Sequence, residues 1–369
     1  MAKRKIRVLV VDDSAVIRQI ICDNISKTED MIVAGAAADG MQALELLEKV
    51  LPDVITLDVQ MPKMDGLATL SAILERRAVP VVMCSSLTRL GASITLEALE
   101  QGAIDYVAKP DYGPATKAAL SDELMRKIRI AAGTDVRRIL EIRRQRKLRR
   151  VETPAAPPPP KQVSEEGAGD FADKCIAIGI STGGPPALSL LFEHLRPPLP
   201  PIVVVQHMPP SFTKPLAWRL DSLSALSIKE AEAGDQLRPN HVYIAPGGHH
   251  LVLAPLGRSA RCVIDDGPPV SSHKPSVDVM MRSAAKIFGN RVLGVIMTGM
   301  GRDGADGCKA IRQAGGYVLG QDEATSDVYG MNKVAYVEGG VDRQFALADG
   351  PKTITAQVQK LWRTAAALV

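Results

Sequence analysis

The sequence predicts an α/β protein of two domains, each built on a doubly wound parallel sheet, with a β-hairpin added to the second. Short apolar, β-branched runs alternate with segments of helical periodicity in both halves of the 369-residue chain. This alternation is typical of parallel sheets covered by helices. A proline-rich segment at 154–169 separates the halves, because such a segment forms neither regular helix nor strand. The chain length also fits two domains.

Composition and charge indicate an ordinary cytoplasmic protein. The net charge is only +4, so the overall charge does not indicate a nucleic-acid partner. No apolar run approaches the ~20 residues of a membrane span, and the first one, at 6–11, is too short for a signal peptide. The five cysteines include no Cys-x-x-Cys pair, which favours free thiols in a reducing compartment over a zinc site. We expect a monomer without membrane insertion or nucleic-acid partner.

The first half contains five predicted strands and the helices between them. The strands are 6–11, 31–36, 53–58, 79–84 and 105–108, and the helices cover about 14–26, 40–50 and 87–101. In a doubly wound sheet, functional groups collect where the carboxyl ends of the strands meet. Asp12, Asp13, Asp58, Ser85 and Lys109 all lie at such ends, so we expect them to share one site.

Three carboxylates gathered in one place repel one another and need a cation. Mg²⁺ prefers oxygen ligands, and it binds through few carboxylates while keeping water. Asp12, Asp13 and Asp58 therefore form a candidate magnesium site beside Lys109. Each aspartate taken alone also fits a helix N-cap or an ordinary loop residue, but matching groups at several strand ends favour the shared site.

Residues 6 to about 125 resemble the receiver domain of response regulators, which has a flavodoxin-like fold. The resemblance rests on the pair Asp12-Asp13, the run LDVQMPKMDG at 57–66, Ser85 and the pair Lys109-Pro110. It implies that a histidine kinase phosphorylates Asp58, with Mg²⁺ held by Asp13, Asp58 and the backbone carbonyl of Gln60. It also implies that Ser85 and Lys109 bond the phosphoryl group, whose added charge and oxygens bias a two-state loop and surface.

Between the halves, residues 124–151 have a helical pattern that becomes increasingly basic. The pattern is compatible with a solvated helix, a docking face for an acidic partner or a nucleic-acid site, although the run lacks the aromatic residues typical of the last. We predict a first domain at 1–126, a basic helix and Pro-rich linker at 127–172, and a second domain at 173–369.

The second half contains a further set of buried strands. They are predicted at 175–180, 202–206, 226–231, 241–245, 291–297 and 317–319, with helices at 187–195 and 277–288 and a hairpin formed by 249–253 and 261–264. Ser181, His207 and Asp303 lie at or just past the ends of three of these strands. We therefore expect these three side chains at one edge of the sheet.

Ser181 is the candidate nucleophile. It lies in the pattern Gly-x-Ser-x-Gly at 179–183, on a predicted strand-to-helix turn where free N–H groups and the helix dipole favour negative charge. A hydroxyl needs a base, and the base needs a carboxylate that fixes its tautomer. His207 and Asp303 fit these roles, although the chain order differs from that of α/β-hydrolases. The turn is also compatible with a plain turn or an anion-binding nest.

The glycine-rich loop at 299–301 has N–H groups that suit part of an oxyanion hole. The other histidines are expected at surface or hydrogen-bonded positions: His194, His241, His249, His250 and His273. His249 and His250 are a possible pair of metal ligands, but no carboxylate or cysteine has a matching spacing.

Four motifs resemble those of the bacterial chemotaxis protein-glutamate methylesterases. They are STGGP at 181–185, VQHM at 205–208, YIAPG at 243–247 and MTGMGRDG at 297–304. Together with the receiver segment, the resemblance covers almost the whole chain apart from the connector. It implies Ser181 as nucleophile, His207 as general base and acid, and Asp303 as the orienting carboxylate. Thr182 and Met300 are implied as oxyanion or neighbouring positions.

Two residues depart from the family pattern. Ile180 stands where a small residue often precedes the serine, and Asn332 replaces the usual proline in the segment 329–333. Neither belongs to the Ser-His-Asp set, so we expect any effect on substrate fit rather than on the chemistry.

The resemblance implies a phosphorylation-activated hydrolase that demethylates glutamate methyl esters on chemoreceptors and deamidates certain glutamines. The chemoreceptors and a histidine kinase are then its partners, with Mg²⁺ as cofactor of the receiver domain and none in the catalytic domain. We expect the receiver to cover the Ser181 face until Asp58 is phosphorylated. Two alternatives stay open, because receivers are joined to many outputs. In the first alternative, the second domain is a binding module without catalysis. In the second, the chain is a DNA-binding regulator.

Overall fold

The computed structural model describes residues 4–86, 88–109, 114–152 and 171–362. The chain divides into two compact units, Met1–Leu148 and Arg149–Val369. The predicted domain boundaries at 126/127 and 172/173 stay predictions, and the proline-rich segment at 154–169 lies outside the described residues.

The first unit is a five-stranded parallel sheet with helices between the strands. The strands are β1 (Ile6–Val11), β2 (Met31–Ala37), β3 (Val54–Asp58), β4 (Val81–Ser85) and β5 (Asp105–Ala108). The helices are α1 (Ala15–Ser26), α2 (Gly40–Val50), α3 (Gly66–Arg76), α4 (Arg89–Gln101), α5 (Pro114–Ala132) and α6 (Val136–Glu152). The order β2-β1-β3-β4-β5 brings the carboxyl ends of β1, β3 and β4 together, and the predicted α/β fold of this half is confirmed.

Short polar side chains start the helices that follow these strands. Ser14, Asp39, Asp65 and Thr88 each accept a hydrogen bond from a backbone N–H of the first helical turn. Such N-caps satisfy N–H groups that have no partner within the helix. The caps therefore fix where each connection after a strand ends.

The connector differs from the single solvated helix that its sequence pattern favours. The chain breaks between α5 and α6, and the start of α6 is buried against the first unit. Val136 is 3% exposed and Ile139 is 2% exposed, while Arg143 Nη1 donates to the carbonyl of Leu99 at 2.6 Å. Because basic and apolar residues alternate in α6, the charge pattern did not indicate that one apolar face of this helix packs on the receiver.

The second unit is a seven-stranded parallel sheet with a separate two-stranded hairpin. The sheet strands are β6 (Cys175–Ile180), β7 (Ile202–Gln206), β8 (Ser227–Glu230), β9 (His241–Ile244), β12 (Val292–Ile296), β13 (Tyr317–Gln321) and β14 (Arg343–Phe345). The hairpin pairs β10 (His250–Leu256) with β11 (Ser259–Asp265). The sheet order is β14-β13-β12-β6-β7-β9-β8, so β6 is central, and the predicted fold class with its added hairpin is confirmed.

Among the described residues of this unit, six α-helices cover the sheet. They are α7 (Gly184–His194), α8 (Pro210–Leu223), α9 (Val277–Phe288), α10 (Ala305–Gln313), α11 (Met331–Val337) and α12 (Gly350–Trp362). The strands β6, β7 and β12 are buried along their whole length, as expected for strands covered on both faces. Within the part of the chain that is described, no helix is both long and apolar enough to cross a membrane.

Candidate functional site

Three neighbouring strands of the second unit place the candidate catalytic residues. Ser181 follows β6, His207 follows β7, and Asp303 lies in the loop after β12. Ile180 pairs with Gln206 across β6 and β7, so the next residue of each strand, Ser181 and His207, emerges at the same edge of the sheet.

The turn after β6 is sharp, as its sequence predicts. Gly183 has a φ of +76°, a conformation that glycine adopts without steric cost. A side chain at Gly184 would collide with the amide of Gln206, so the first turn of α7 lies tightly against β7. Ser181 is 8% exposed, so it is buried at this edge of the sheet and does not project into solvent.

Gln206 ties the two strand ends together. It is 2% exposed, and its Nε2 donates to the carbonyl oxygens of Ser181 at 3.0 Å and His207 at 3.1 Å. The N–H of His207 donates to the carbonyl of Ile180 at 3.2 Å. The sequence showed Gln206 only as part of a motif, because a side chain that bonds two backbone carbonyls leaves no periodic signal.

His207 and Asp303 form the hydrogen-bonded pair that the sequence predicts. The distance from His207 Nε2 to Asp303 Oδ2 is 2.8 Å, and Asp303 is fully buried. A carboxylate there accepts a hydrogen bond from the N–H that His207 carries on Nε2, so Nδ1 holds the lone pair. Nδ1 is buried and has no hydrogen-bond partner among the described residues. The imidazole therefore has one nitrogen oriented by a carboxylate and the other available as a base.

The charge on Asp303 is held in place by its partners. Burial acts to raise the pKa of this carboxyl, but hydrogen bonds from His207, Ser276 and the backbone N–H of Asp278 outweigh it and hold the pKa below its usual range. Asp303 is thus an anion at neutral pH, as an orienting carboxylate must be.

His273 is hydrogen-bonded, one of the two environments expected for it, with Nδ1 2.7 Å from the carbonyl of Ser271, and it also lies against the His207–Asp303 pair. Its ring stacks on the His207 ring with centroids 3.8 Å apart and an angle of 14° between planes. The ligand atoms of His207, His273 and Asp303 lie within 4.8 Å of one another. Parallel rings do not point their lone pairs at a common ion, and Nε2 of His207 already faces Asp303. The arrangement therefore suits a proton-transfer pair better than a metal centre.

His250 is buried and hydrogen-bonded, which is the second of the two environments expected for it. It is 1% exposed; its Nδ1 accepts from the N–H of Ser276 at 3.1 Å, and its Nε2 lies 3.0 Å from the carbonyl of Pro268. Both nitrogens are thus used to hold the segment before α9. The sequence did not indicate this burial, because the neighbours of His250 in the chain are polar and the residues that enclose it lie in a distant segment, before α9.

The loop after β12 lies directly against Ser181, the candidate nucleophile. A Cβ on Gly299 would be 2.7 Å from the Cβ of Ser181, so only glycine fits this approach. The N–H of Gly299 donates to Val328 and that of Ser181 donates to Thr298, both at 3.0 Å. These two N–H groups are therefore already used. Met300 is 39% exposed at this edge.

Thr182 lies close to this loop. It is 6% exposed, and its carbonyl accepts from Thr298 Oγ1 at 3.0 Å. The roles of Thr182 and Met300 in an oxyanion hole stay predictions.

The two residues that depart from the family pattern are both buried. Ile180 and Asn332 are each 0% exposed. Asn332 Nδ2 donates to the carbonyl of Gln321 and to Ser326 Oγ, both at 2.8 Å. Asn332 therefore anchors the segment after β13 to the end of that strand, and its contact with substrate stays untested.

The first unit gathers its predicted polar residues at one edge of its sheet. Lys109 Nζ lies 2.8 Å from Asp12 Oδ2 and 2.7 Å from Asp58 Oδ2. Burial raises the pKa of Asp58 to about 6, although Lys109 acts to lower it. Burial would lower the pKa of Lys109, but the two carboxylates raise it above its ordinary value. Ser85 is fully buried at the end of β4.

The acidic residues fit the magnesium ion that the receiver resemblance implies. Oxygen atoms of Asp12, Asp13 and Asp58 lie within 4.8 Å of one another. Three carboxylates face one lysine, which leaves negative charge for a cation, and all the donor atoms are the hard oxygens that Mg²⁺ prefers. When bound, Mg²⁺ would shield the carboxylate of Asp58 from the charge of an approaching phosphoryl donor.

Comparisons with known proteins match both units. Residues 176–354 match the family described as CheB methylesterase, and residues 8–120 match the response regulator receiver domain. The chain is 44% identical over 355 residues to the protein-glutamate methylesterase/protein-glutamine glutaminase of Pectobacterium atrosepticum, covering 96% of this chain and 97% of that protein. It is 43% identical over 357 residues to the protein of the same name from Salmonella typhimurium, with 96% and 97% covered.

A solved structure is similar to the second unit. The crystal structure of the Thermotoga maritima CheB methylesterase catalytic domain is 41% identical and covers 50% of this chain and 98% of that one, with a TM-score of 0.49. The relatives named above are thus matched over nearly their full length, with both clusters of polar residues inside the matched ranges.

Proposed function

This chain belongs to the family of the protein-glutamate methylesterase/protein-glutamine glutaminases, and from that premise we propose that it hydrolyses glutamate methyl esters on chemoreceptors with Ser181 as nucleophile. It is a hydrolase with a receiver domain and a CheB methylesterase domain. The observation that carries the proposal is the His207–Asp303 pair at 2.8 Å, with the unpaired Nδ1 of His207 at the sheet edge where Ser181 turns.

The reaction proceeds through an acyl-enzyme. His207 Nδ1 takes the proton of Ser181 Oγ as the oxygen attacks the side-chain carbonyl of the substrate. Asp303 stabilises the imidazolium through the proton on Nε2. Collapse of the tetrahedral intermediate expels methanol, which receives the proton from Nδ1. Water then attacks the acyl-enzyme with the same histidine as base, and releases glutamate and free Ser181.

Deamidation of glutamine follows the same route. The leaving group is ammonia instead of methanol, and His207 protonates it as it departs. Because a neutral amide is less reactive than an ester, this reaction depends more strongly on acid catalysis by His207. We propose it as a second activity on specific receptor glutamines.

Phosphorylation of Asp58 controls the hydrolase in this proposal. A histidine kinase supplies the phosphoryl group, Asp12, Asp13 and Asp58 hold Mg²⁺, and Lys109 with Ser85 bonds the new oxygens. The enzyme works as a monomer in the cytoplasm. The proposal is supported by the receiver match and by the half-buried Lys109 between two carboxylates.

Methanol release from methylated receptor membranes tests the role of Ser181. We expect Ser181→Ala to lower the rate by about 10³-fold or more, because the acyl-enzyme is no longer formed. Ser189→Ala is the matched control, since Ser189 is a buried serine on α7, and it should keep the wild-type rate. Equal rates for wild type and Ser181→Ala would contradict the proposal and favour a binding module.

A further inference from the structure

Two aspartates connect the starts of α9 and α10, and each accepts hydrogen bonds from backbone N–H groups at the start of the other helix. Asp303, just before α10, accepts from the N–H of Val277 at 2.8 Å, the N–H of Asp278 at 3.0 Å and Ser276 Oγ at 2.8 Å, all at the start of α9. These bonds satisfy N–H groups that a helix start leaves without partners. The backbone of α9 therefore holds the catalytic carboxylate.

The reverse contact comes from Asp278, the second residue of α9. Its Oδ1 accepts from the N–H of Gly304 at 2.9 Å and from the N–H of Gly307 at 2.7 Å, at the start of α10. Gly304 is the residue directly after Asp303. One buried oxygen thus fixes the peptide that determines where Asp303 points.

Gly304 packs closely against Ile296 and Val277, but it has no side chain that could fix its own peptide. Gly304 has a φ of +95° and starts α10 without a side-chain cap. Glycine loses more conformational freedom on ordering than any other residue. Without the bonds to Asp278, the segment from Asp303 into α10 would have a wider range of conformations, and the distance to His207 would vary with it.

The charge at Asp278 is expensive to keep. It is 1% exposed, and burial raises the pKa of its carboxyl, with the charges of Asp303 and Asp306 acting in the same direction. The hydrogen bond from the N–H of Gly307 and the charge of Arg282 act to lower it. Both bonds from backbone N–H groups end on one oxygen, Oδ1. An amide oxygen in the same place would accept both bonds.

We propose that Asp278 is a positioning residue, which keeps Asp303 in hydrogen-bonding distance of His207 by binding the N–H groups of Gly304 and Gly307. The inference rests on the proposed roles of Ser181, His207 and Asp303. It adds a residue that touches neither substrate nor nucleophile and that acts through the backbone around the orienting carboxylate.

The first test compares Asp278→Ala with Asp278→Asn in the full chain, with methanol release as the assay. Asp278→Ala should lower kcat by about 10- to 100-fold with little change in KM, because small misplacements in a catalytic set cost rates of this order. Asp278→Asn should stay within a few-fold of the wild-type kcat. Asp306→Ala is the matched control, since Asp306 lies in the same turn of α10 and pairs with exposed cations.

The second readout does not depend on catalysis. The His207 N–H that donates to Asp303 should give a downfield proton NMR signal, assigned by its loss in Asp303→Asn. We expect Asp278→Ala to broaden or remove the signal, and Asp278→Asn, Asp306→Ala and Ser181→Ala to keep it. If wild type shows the signal but releases no methanol, the proposed function fails while the positioning role is still decided by this signal.

Two results would overturn the positioning role. One is a folded Asp278→Ala protein that keeps both kcat and the signal; the other is an Asp278→Asn protein that loses both, because the charge and not the acceptor would then matter. If Asp278→Ala does not fold, Asp278→Glu replaces it, since it keeps the charge but moves the carboxylate by one methylene. Positioning predicts a lower kcat and a weaker signal for Asp278→Glu, and unchanged values would contradict it.

Discussion

At the scale of single residues, the two sites use the burial of carboxylates in opposite ways. Asp303 is ringed by donors that hold its pKa below the usual range, so it stays ionised beside His207. Asp58 is 4% exposed, and burial raises its pKa to about 6 despite Lys109. Asp58 therefore carries a charge that is poorly compensated until a cation or a phosphoryl group changes its surroundings.

Asp58→Asn should stabilise the first unit at alkaline pH in the absence of Mg²⁺. The folded pKa of Asp58 is about 6, above the unfolded value of about 3.9, so ionising it costs stability that is fully lost above pH 6 and restored below about pH 4. We expect the variant to raise the free energy of unfolding by about 1–3 kcal/mol at pH 8, and the gain to shrink as the pH falls through 6.

Urea unfolding in EDTA, followed by circular dichroism at pH 8 and pH 4.5, measures this difference. Asp65→Asn is the control, because Asp65 is an exposed N-cap of α3 and asparagine caps helices about as well. A gain from Asp58→Asn that is the same at both pH values, or a loss at pH 8, would show that the buried charge is not the cause.

Residue types at strand ends were enough to predict most of the polar residues that the structure gathers. Asp12, Asp58 and Lys109 meet in one unit, and His207 meets Asp303 in the other, because strand ends converge in any doubly wound sheet. The sequence did not reveal Gln206, His273 or Asp278. Each acts through a contact with backbone or ring atoms of a distant segment, which neither spacing nor periodicity records.

At the scale of elements, the relative positions of Ser181 and His207 depend on how β6, β7 and α7 are joined. Gln206 Nε2 donates hydrogen bonds to the carbonyls of Ser181 and His207. One side chain at the end of β7 therefore fixes the backbone of both candidate catalytic residues. Its removal would leave both carbonyls without these donors inside a buried region, a cost of about 1–3 kcal/mol each.

Gln206→Met should lower kcat by about 10- to 100-fold, because the side chain keeps its shape but no longer ties Ser181 to His207. Methanol release under saturating substrate gives kcat, and thermal unfolding shows how much stability is lost. Gln357→Met is the matched control, since Gln357 is a buried glutamine on α12. A folded Gln206→Met protein with the wild-type kcat would mean that strand pairing alone aligns the two residues.

Most strands and several helices were predictable, and the exceptions have physical causes. The fully buried strands β6, β7 and β12 carry continuous apolar runs, so their sequence determines them. Helix α8 contains Pro215 in its interior, and an interior proline is typical of a break in a helix. Strand β14 has only three residues, one of them buried, so its pattern is too short to predict a strand. The break between α5 and α6 was missed because the basic residues obscured the apolar face of α6.

At the scale of the whole molecule, the chain joins a receiver domain to a CheB methylesterase domain. Each unit has its own core and its own polar cluster, so neither site needs residues of the other for its local geometry. In the proposed function, phosphorylation therefore controls a complete active site and does not complete an unfinished one. A chain that begins at Phe171 should accordingly be more active than the unphosphorylated full chain.

The most direct test is the rate of methanol release by the full chain, with Mg²⁺, before and after addition of a small-molecule phosphodonor. We expect a rise on addition of the donor that is absent in Asp58→Asn or in EDTA, and release that is abolished in Ser181→Ala under every condition. Release that does not change with the donor, or that continues without Ser181, would contradict the proposal that this chain is a phosphorylation-controlled serine hydrolase.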